Sequence, residues 1–544
     1  MGYPTKIQVI KRTNSEQWFI NFPAAIAHAM EFDKGETVEW VIENKNKLIL
    51  KRQQQKIVQV KKKTERTTLM QEFDNLFSEC GTAFKQPRSS VRAHKLAYGL
   101  LNCSGRHTLT GMISSAGEQF LDWSTNYRLF QGETINTDTL FSTVIKSLLE
   151  KEKYEDNNIY VHMDDTLLSK TGKKIVGTAW RRDPLGPPFH TNFIWGQRFI
   201  QLSIALPEKS GASRSRAIPV DFYHCPSVKK PKRTDSQEKW NDFKEKKKKI
   251  NLSLQGVERI KQLRNKIDNL GAKELQIVLG VDGSYTNANV LRNKPPKVTL
   301  IGRIRKDTAL NKIPGKSEGK AGRKRIYGQA LPKPEEIRKS DEYPWQEVKA
   351  WAAGKTHNFN LKIVNNVRWR KAGNENLKLI IIRPLGYRLT KKSKLLYRQP
   401  AYLICTDPNL EIEKVLQAYL WRWEIEVNFR EEKTLLGCGQ AQVRTKEPVE
   451  KVPAFTVAVY SLLQLAAHRV RETGGINHLP SAKWYSHKNN KRETTGDILN
   501  AFKAQMLSKT MDINFYDFVN LQNSLRIKKN YVDPIFSAHF YHRN

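Results

Sequence analysis

Apolar and polar positions alternate with two different periods along this chain, and each period indicates a different kind of element. Between residues 5 and 52, the segments KIQVIKR and WFINFP alternate in steps of two, as strands do. AAIAHAMEF has the spacing of a short helix, DKGE indicates a turn, and TVEWVIENKNKLILKR predicts two more strands joined at residues 43–47. We therefore predict a small β domain over residues 1–53.

The next part of the chain changes from a polar segment to helical spacing and then to alternating elements. Residues 54–68 are polar and basic without an apolar period, which indicates a linker. Helical spacing follows over residues 69–153 and predicts a helical domain. Strand-like runs and a lysine-rich helix then alternate (NIYVHMDDT, FIQLSIAL, AIPVDFYH and ELQIVLGVDGSY), so residues 154–290 predict the first part of an α/β core.

Short strands and loops dominate the following hundred residues. VTLIGRI, VRWR, LKLIIIRPL and AYLICTD predict a β-rich insertion over residues 291–408. Helical spacing returns over residues 409–475, which we assign to the second part of the core. Residues 476–544 form a C-terminal helical and polar region.

One stripe of the helix predicted over residues 414–433 carries four polar side chains. Tyr419, Arg422, Glu426 and Lys433 are three, four and seven residues apart, which is close to whole helical turns. The neighbouring stripe is apolar and is the face such a helix would bury: Leu416, Leu420, Trp423 and Val427. The polar stripe suits metal-assisted attack on a phosphodiester. A solvated face stabilised by ion pairs is the alternative interpretation.

Charge indicates a polyanionic partner. The 544 residues include 93 Lys and Arg against 54 Asp and Glu, a formal net charge of +39, and phosphate contacts dominate affinity for nucleic acids. Residues 229–264 alone carry 13 basic and 5 acidic residues, which predicts a solvated basic helix over nucleic acid. With 39% hydrophobic residues the chain can bury several cores, so general disorder is excluded.

Cysteine spacing and hydropathy indicate a reducing, aqueous environment. The five cysteines contain no CxxC pair, so neither a zinc knuckle nor a disulfide framework is predicted. The most apolar stretch, residues 455–467, is too short to span a bilayer, and no signal segment is evident. We expect a soluble, cytoplasmic, nucleoid-associated protein with no membrane contact.

Two aspartates at the ends of apolar strands supply candidate chemistry upstream. One lies in HMDDT, as Asp164 or Asp165, and the other is Asp282 in VLGVDGS. Either could simply cap a turn. Combined with Glu426, however, two strand aspartates and one helical glutamate match the ribonuclease H-like nuclease core. Carboxylate oxygens suit Mg²⁺, and two such ions about 4 Å apart stabilise both the attacking and leaving oxygens of a phosphodiester.

These residues together resemble the DDE insertion-sequence transposases of the cut-and-paste group, which carry a Tyr-x2-Arg-x3-Glu-x6-Lys signature. The resemblance covers about residues 69–470. It implies a multidomain α/β protein whose ribonuclease H-like core has Asp164, Asp282 and Glu426 as its catalytic, metal-binding DDE motif. The family writes Asp-x-Thr at the first position, which favours Asp164, and Asp165 remains the alternative because neighbouring strand residues point to opposite faces.

The same resemblance implies cofactors, partners and a reaction. Two Mg²⁺ ions, which Mn²⁺ can replace, would sit on the carboxylates, while Tyr419, Arg422 and Lys433 would bind DNA phosphates. The enzyme would act as a homodimer in a synaptic complex on double-stranded DNA. It would bind the inverted repeats at the transposon ends, cleave the strands as an endonuclease, and transfer the 3′-hydroxyl ends into target DNA. The alternatives are a domesticated DNA-binding regulatory protein derived from a transposase and a stand-alone nuclease on the same fold.

The 144 residues from Asp282 to Glu426 exceed what a bare core needs, and the family places a mostly β insertion there. In relatives an aromatic side chain of this insertion can hold a base flipped out during hairpin formation. The candidates in this chain are Trp345, Trp351, Trp369, Tyr397 and Tyr402. The segment at residues 105–111 resembles the end-binding region of related transposases, and a helical domain without base contacts is equally compatible with the pattern.

The predicted β domain at the N-terminus resembles the AbrB/MazE swapped-hairpin family. Phe22 and Pro23, residues 30–32, and Gly35 with Glu36 stand where that family has its proline, its helix end and its turn. A departure is the turn at residues 14–17, which lacks the usual glycine. The family forms interlocked dimers and many members bind DNA. This segment has eight basic and six acidic residues, so DNA binding and dimerisation alone both remain open.

Overall fold

The computed structural model describes residues 5–13, 15–29, 38–52, 67–152, 154–183, 186, 192–228, 230–315, 324–388, 393–473 and 492–512. The chain divides into two compact units, Met1–Arg66 and Thr67–Asn544.

The first unit contains two antiparallel hairpins and a short helix. Strands β1 and β2 pair from Ile7↔Ile20 to Arg12↔Ser15, and β3 and β4 pair from Val38↔Arg52 to Asn44↔Lys47. The elements are β1 (Ile7–Arg12), β2 (Ser15–Ile20), α1 (Ala24–Ala29), β3 (Val38–Asn44) and β4 (Lys47–Arg52). This order is the one predicted. Residues 30–32, Gly35 and Glu36, and residues 53–66 of the linker, lie outside the described residues.

The second unit begins with the predicted helices, α2 (Leu69–Glu79), α3 (Pro87–Asn102), α4 (Leu109–Ser115), α5 (Ser124–Arg128) and α6 (Thr137–Lys151). Local sequence sets their starts. Thr68 and Gln71 form a capping box at the beginning of α2, and Pro87 occupies the first turn of α3, where its missing N–H costs nothing.

Eleven of the described strands form one mixed sheet. They are β5 (Asn158–Ser169), β6 (Ala179–Arg182), β7 (Phe193–Pro207), β8 (Ser215–His224), β9 (Gln276–Val281), β10 (Val298–Arg303), β11 (Asn311–Lys312), β12 (Gln346–Ala352), β13 (Lys355–Arg368), β14 (Leu377–Ile382) and β17 (Ala401–Cys405). The order is β11-β13-β14-β17-β10-β9-β5-β7-β6, with β8 on β7 and β12 on β13. Strands β5, β9 and β10 are parallel, and the other pairings are antiparallel. A separate hairpin joins β15 (Gly386–Tyr387) and β16 (Leu396–Tyr397).

The strands predicted as an insertion extend this central sheet. β17 pairs with β10 through Ile301↔Cys405, and β14 and β13 follow in order. The physical reason is that β10 would otherwise be an edge strand with a row of unpaired backbone groups. Residues 291–408 are therefore β-rich as expected, and their longest strands share the core's sheet.

The remaining helices are α7 (Gln237–Lys249), α8 (Leu252–Asn269), α9 (Ala288–Asn293), α10 (Pro334–Lys339), α11 (Ile412–Trp421), α12 (Trp423–Thr434), α13 (Lys446–Thr473) and α14 (Thr495–Thr510). The single lysine-rich helix that we predicted is two helices. Asn251 separates them because its side chain accepts hydrogen bonds from the N–H groups of Ser253 and Leu254, which caps α8.

Alternate residues of the parallel strands pack into two different cores. On one face, Val161 and Met163 of β5 join a large core that includes Ile260 of α8 and extends to helices α2, α13 and α14. On the other face, Val278 of β9 and Ile301 of β10 pack against α11. The sheet is therefore covered on both sides, and the two faces meet different helices.

The five cysteines are all buried, and none forms a disulfide, as predicted. Among the described helices, none combines the length and the apolar character needed to cross a membrane.

Candidate active site

Strand register brings the two predicted aspartates side by side. The parallel pairing of β5 with β9 ends at Met163↔Val281, so Asp164 and Asp282 are the next residues on neighbouring strands. The sequence placed both at strand ends. Asp282 does follow the end of β9, but Asp164 lies inside β5, because β5 continues its pairing with β7 as far as Ser169↔Gly196.

The two candidates for the first aspartate lie on opposite faces of β5. Asp164 has the same parity as Tyr160, which packs against the core on the α11 face. Asp165 faces the other way, where Tyr285 Oη donates to its Oδ1 over 2.9 Å and Arg198 Nε lies 3.2 Å from its Oδ2. Both aspartates have their oxygens engaged, since Asp164 Oδ1 accepts the Asp165 N–H over 2.8 Å and its Oδ2 lies near Arg422. The difference is that Asp164, through Arg422, is on the side of the strand that faces Glu426.

Asp282 uses one carboxylate oxygen to shape the turn after β9. Its Oδ1 accepts hydrogen bonds from Ser284 N (2.9 Å), Ser284 Oγ (2.6 Å) and Tyr285 N (3.3 Å). The turn-capping interpretation is therefore right for this oxygen. Among the described residues no donor contacts Oδ2, so the second oxygen remains open to another ligand.

The helix predicted over residues 414–433 is interrupted at Arg422. This residue has αR dihedrals (φ −52°, ψ −30°), but the hydrogen bonds around it are of the tighter i→i+3 type, Arg422 N to Tyr419 O and Ile425 N to Arg422 O. The prediction of one continuous helix is wrong at this point, and α11 and α12 replace it.

The interruption also changes which side chains are buried. Leu416 is buried as predicted, but Trp423, which we assigned to the apolar face, is 60% exposed. In α12 the buried side chains are Glu424, Ile425, Asn428, Phe429 and Glu432. The predicted apolar stripe is therefore correct in α11 and wrong in α12, because the interruption shifts the phase of the second helix.

Arg422 connects Glu426 to the sheet. Its Nη2 donates to Glu426 Oε1 over 2.9 Å, and its Nη1 lies 3.5 Å from Asp164 Oδ2. The guanidinium is largely buried, whereas the Glu426 side chain is 34% exposed. Three of the predicted residues, Asp164, Arg422 and Glu426, thus form one linked group, and Asp282 adjoins it through the strand register.

The other two signature residues flank this group along the helices. Tyr419 is half-buried at the end of α11, and its carbonyl accepts the Arg422 N–H. Lys433 lies in the last turn of α12, where burial lowers the pKa of its ammonium. Its Nζ is 6.0 Å from the Phe429 ring, and no carboxylate among the described residues pairs with it.

Burial and a like charge act on the first aspartate. Burial, followed by the neighbouring charge of Asp282, raises the pKa of Asp164 to about 7. Burial and the neighbouring carboxylate both disfavour the ionised form of this carboxyl. A cation bound nearby would stabilise that ionised form. The group therefore combines the oxygen donors and the electrostatics that a divalent metal site requires.

The three predicted carboxylates do not form one tight cluster of ligand atoms in the described part of the chain. Among the described residues, the group whose ligand atoms all lie within 4.8 Å of one another is Glu152, His468 and Glu472, and not the predicted triad. A two-ion site needs only pairs of carboxylates, since one aspartate can contact both ions. If two ions bind here, Asp164 would be the carboxylate shared between them, because it lies between Asp282 and the Arg422–Glu426 pair.

Sequence reasoning did not identify the buried polar side chains of α12 that hold this helix against the rest of the second unit. Glu424 accepts hydrogen bonds from Ser213 Oγ (2.6 Å) and from Arg492 (3.1 Å), and Asn428 Nδ2 donates to Ala217 O (3.0 Å). Burial raises the pKa of Glu432 to about 8. The only sequence signal for them was the presence of polar residues within an otherwise helical segment.

Arg303 is a further missed residue, at the end of β10. The register Gly302↔Val281 makes it the neighbour of Asp282, so Asp164, Asp282 and Arg303 lie in one row across the three parallel strands, where the pairing of β5 with β9 ends. The signal available in the sequence was a basic residue closing the apolar run VTLIG.

The aromatic candidates have different surroundings. Trp369 and Tyr402 are buried, with 6% and 4% exposure, while Tyr397 is 67% exposed. The guanidinium carbon of Arg214 lies 3.4 Å from the Trp351 ring centroid, and Lys362 Nζ is 4.7 Å from that of Trp345. Tyr397 is therefore the candidate with the most accessible ring.

Comparison with known proteins identifies the family to which the chain belongs. The sequence profile of a family described as DDE superfamily endonuclease matches residues 81–375, which is more than half of the chain. That range includes Asp164, Asp282 and Arg303 and ends before α11. No curated protein matches the chain. The α/β content and the large mixed sheet fit a ribonuclease H-like core, and enzymes of this family typically use divalent metal ions. The chain therefore belongs to the DDE superfamily endonucleases, nuclease-type enzymes that act on DNA.

Proposed function

We propose that this endonuclease is a cut-and-paste transposase. It binds the inverted repeats at transposon ends, cleaves DNA strands, and joins the 3′-hydroxyl ends to target DNA. The observation that supports this best is the linked group on the α11 face of the sheet. Asp164 and Asp282 are neighbours in strand register, and Arg422 joins Asp164 to Glu426.

The proposed catalytic residues are Asp164, Asp282 and Glu426, which would hold two Mg²⁺ ions or, in their place, Mn²⁺. Bound there, the ions would activate the attacking hydroxyl and stabilise the leaving oxygen. We choose Asp164 over Asp165 because Asp164 contacts Arg422, which holds Glu426, whereas Asp165 contacts Tyr285 and Arg198 on the other face of the strand.

The proposed DNA-binding residues are Tyr419, Arg422 and Lys433. Arg422 has a forked donor set that can hold a phosphate while it orients Glu426. The Lys433 ammonium has no carboxylate partner among the described residues, so its charge is available to a phosphate. Tyr419 can donate its phenolic hydrogen to a neighbouring phosphate oxygen.

We further propose that the N-terminal unit dimerises the enzyme. Its hairpins expose large apolar side chains, including Ile7 at 65%, Trp18 at 65% and Ile42 at 77%. Contiguous apolar surface of this kind is typical of protein interfaces. A homodimer would hold two DNA ends together in the synaptic complex.

Strand cleavage tests the proposed chemistry. The purified chain should nick supercoiled plasmid DNA in Mg²⁺ or Mn²⁺ and lose this activity in EDTA. Asp282→Asn and Glu426→Gln should each reduce nicking by at least a hundredfold while DNA binding persists, because each removes a metal ligand and no DNA-binding cation.

The matched control is Glu133→Gln, which removes an exposed carboxylate that belongs neither to the proposed triad nor to the surface around it. Nicking by both triad variants at the control's rate would contradict the proposed site. A parent protein that binds terminal repeats without cleaving DNA would instead support the regulatory alternative.

A further inference from the structure

A cavity of about 700 Å³ opens beside the second proposed metal ligand. Gly283, which follows Asp282, lines it together with Arg303, Lys306, Thr308 and Lys371. Its walls come from the segment after β10, from α10 and from the turn after β13. The cavity therefore lies next to the carboxyl ends of β9 and β10.

The cavity has a positive charge that the protein itself leaves incompletely neutralised. Five basic and two acidic side chains line it. Arg305 is held by Asp307 through two 2.9 Å hydrogen bonds, and Arg338 is held by Glu335 at 2.7 and 2.9 Å. The three remaining cations, Arg303, Lys306 and Lys371, form no ion pair with any described residue.

The register between β9 and β10 determines the position of Arg303. Arg303 follows Gly302, the partner of Val281, so it stands next to Asp282 as Asp164 does on the other side. It has the same parity as Ile301, whose side chain packs against the α11 face. Arg303 is exposed and thus stands on the face of the sheet that carries Asp164.

The aromatic residues of the cavity are not available for stacking on a base. Trp369 and Tyr402 line it but are 6% and 4% exposed, and the Tyr402 hydroxyl donates to Glu335. The accessible groups of the cavity are therefore its cationic side chains, and such side chains supply many of the contacts that proteins make to DNA phosphates.

We propose that Arg303 and Lys306 bind the phosphodiester backbone of the DNA strand that leaves the metal site through this cavity, with Lys371 at its far wall. This inference rests on the proposed function, because it takes Asp164 and Asp282 as the position of the scissile phosphate. It adds a binding site outside the Tyr-Arg-Glu-Lys signature and assigns it a sequence-independent role.

The test is the salt dependence of DNA binding by the full chain. Binding of two fluorescent 30-base-pair duplexes of unrelated sequence is measured by anisotropy between 50 and 200 mM NaCl, with Ca²⁺ in place of Mg²⁺. Each lost phosphate contact lowers the slope of log K against log salt by about 0.9, so Arg303→Gln/Lys306→Gln should lower it by about 1.8. At 50 mM NaCl the affinity should fall at least tenfold, and equally for both duplexes.

The matched control is Lys273→Gln/Lys297→Gln, which removes the same charge from exposed positions before β9 and β10, at the opposite ends of these strands from Asp282 and Arg303. It should keep the parent slope. The single variant Lys306→Gln, at an exposed position, should show about half of the double variant's change. Equal slopes for the two double variants would overturn the inference, and so would a loss confined to one duplex.

The plasmid-nicking assay is run on the same preparations and separates the two proposals. A parent protein that nicks DNA while the Arg303 and Lys306 substitutions leave the slope unchanged overturns the cavity inference alone. A parent protein that fails to nick in any divalent metal overturns the proposed function, while the slope comparison still reports whether the cavity binds phosphate.

Discussion

Neighbouring residues on one strand can have unrelated roles, and Asp164 and Asp165 illustrate this. Asp165 is half of a partly buried pair with Arg198, and Tyr285 donates to it. Asp164 lies beside another carboxylate, and its closest cation is 3.5 Å away. The sequence identifies the pair of aspartates. Which of the two is the proposed metal ligand depends on which helices cover each face of the sheet, and this is not visible in the sequence.

This difference predicts opposite effects on stability. Asp165→Asn should lower the free energy of unfolding by about 1–2 kcal/mol, because it leaves the partly buried Arg198 without its counter-charge. Asp164→Asn should leave it unchanged or raise it, since the repulsion from Asp282 is removed. Urea denaturation without added metal measures both. A larger loss for the Asp164 variant would contradict the assignment.

Glu432 should make stability depend on pH. Burial raises the pKa of its carboxyl from 4.5 to about 8 in the folded protein, so the folded state binds a proton that the unfolded state has released. The folded state is therefore favoured most below pH 4.5, and this contribution is lost as the pH rises toward 8.

Glu432→Gln removes that titration and keeps the side-chain shape. Relative to the parent, the variant should gain stability between pH 5 and 8, by at most about 1.4 kcal/mol per pH unit, and the gain should level off above pH 8. Chemical denaturation across this range measures it. Glu413→Gln, at an exposed position on α11, is the control, and parallel pH curves for Glu432→Gln and the parent would refute the assignment.

At the scale of elements, periodicity predicted the helix that carries Glu426 but not its interruption. Apolar spacing indicated helix throughout residues 414–433, and residues on both sides of Arg422 are helical. The change of phase arises from tertiary contacts, in which Glu424 and Asn428 find partners on β8 and on the segments flanking it. Such long-range partners cannot be read from a local period.

The C-terminal segment should hold the catalytic helix in place. Arg492 donates to Glu424, two residues before Glu426, and Thr495 Oγ1 donates to Glu431 over 2.6 Å. Arg492→Ala should therefore lower the free energy of unfolding by about 3–5 kcal/mol, because Glu424 remains buried without its counter-charge.

The comparison variant is Arg430→Ala, which removes an exposed arginine from the same helix. Its unfolding midpoint should stay near that of the parent, and that of Arg492→Ala should fall clearly below it. Equal midpoints for the two variants would show that Arg492 does not support α12.

At the scale of the whole molecule, the order of strands and helices was predictable, but their assembly into one sheet was not. Every strand segment quoted from the sequence overlaps a strand of the structure, but several of these strands begin or end elsewhere, and β7 begins at Phe193, before the segment FIQLSIAL. β5 extends beyond Asp165 to Ser169, and VRWR is only the end of the fourteen-residue β13. Pairing of β17 with β10 is a contact between residues about a hundred positions apart, which alternation alone does not encode.

The N-terminal unit should control the oligomeric state. Trp18→Ser/Ile42→Ser removes two exposed apolar side chains from its hairpins and should convert a dimer of the full chain to a monomer in sedimentation velocity. Phe120→Ser, which changes a 92% exposed ring in the second unit, should leave the dimer intact. A parent protein that is monomeric at all concentrations would remove the proposed role.

The count of bound metal ions tests the central claim most directly, because the claim is that Asp164, Asp282 and Glu426 jointly bind two ions. Electron paramagnetic resonance of free Mn²⁺, titrated into the full chain with a DNA duplex, gives that count. The account predicts two ions per chain for the parent and the Asp165→Asn variant, and a lower count or at least tenfold weaker binding for Asp164→Asn, Asp282→Asn and Glu426→Gln. Two ions bound with parent affinity in all three of these variants would contradict it.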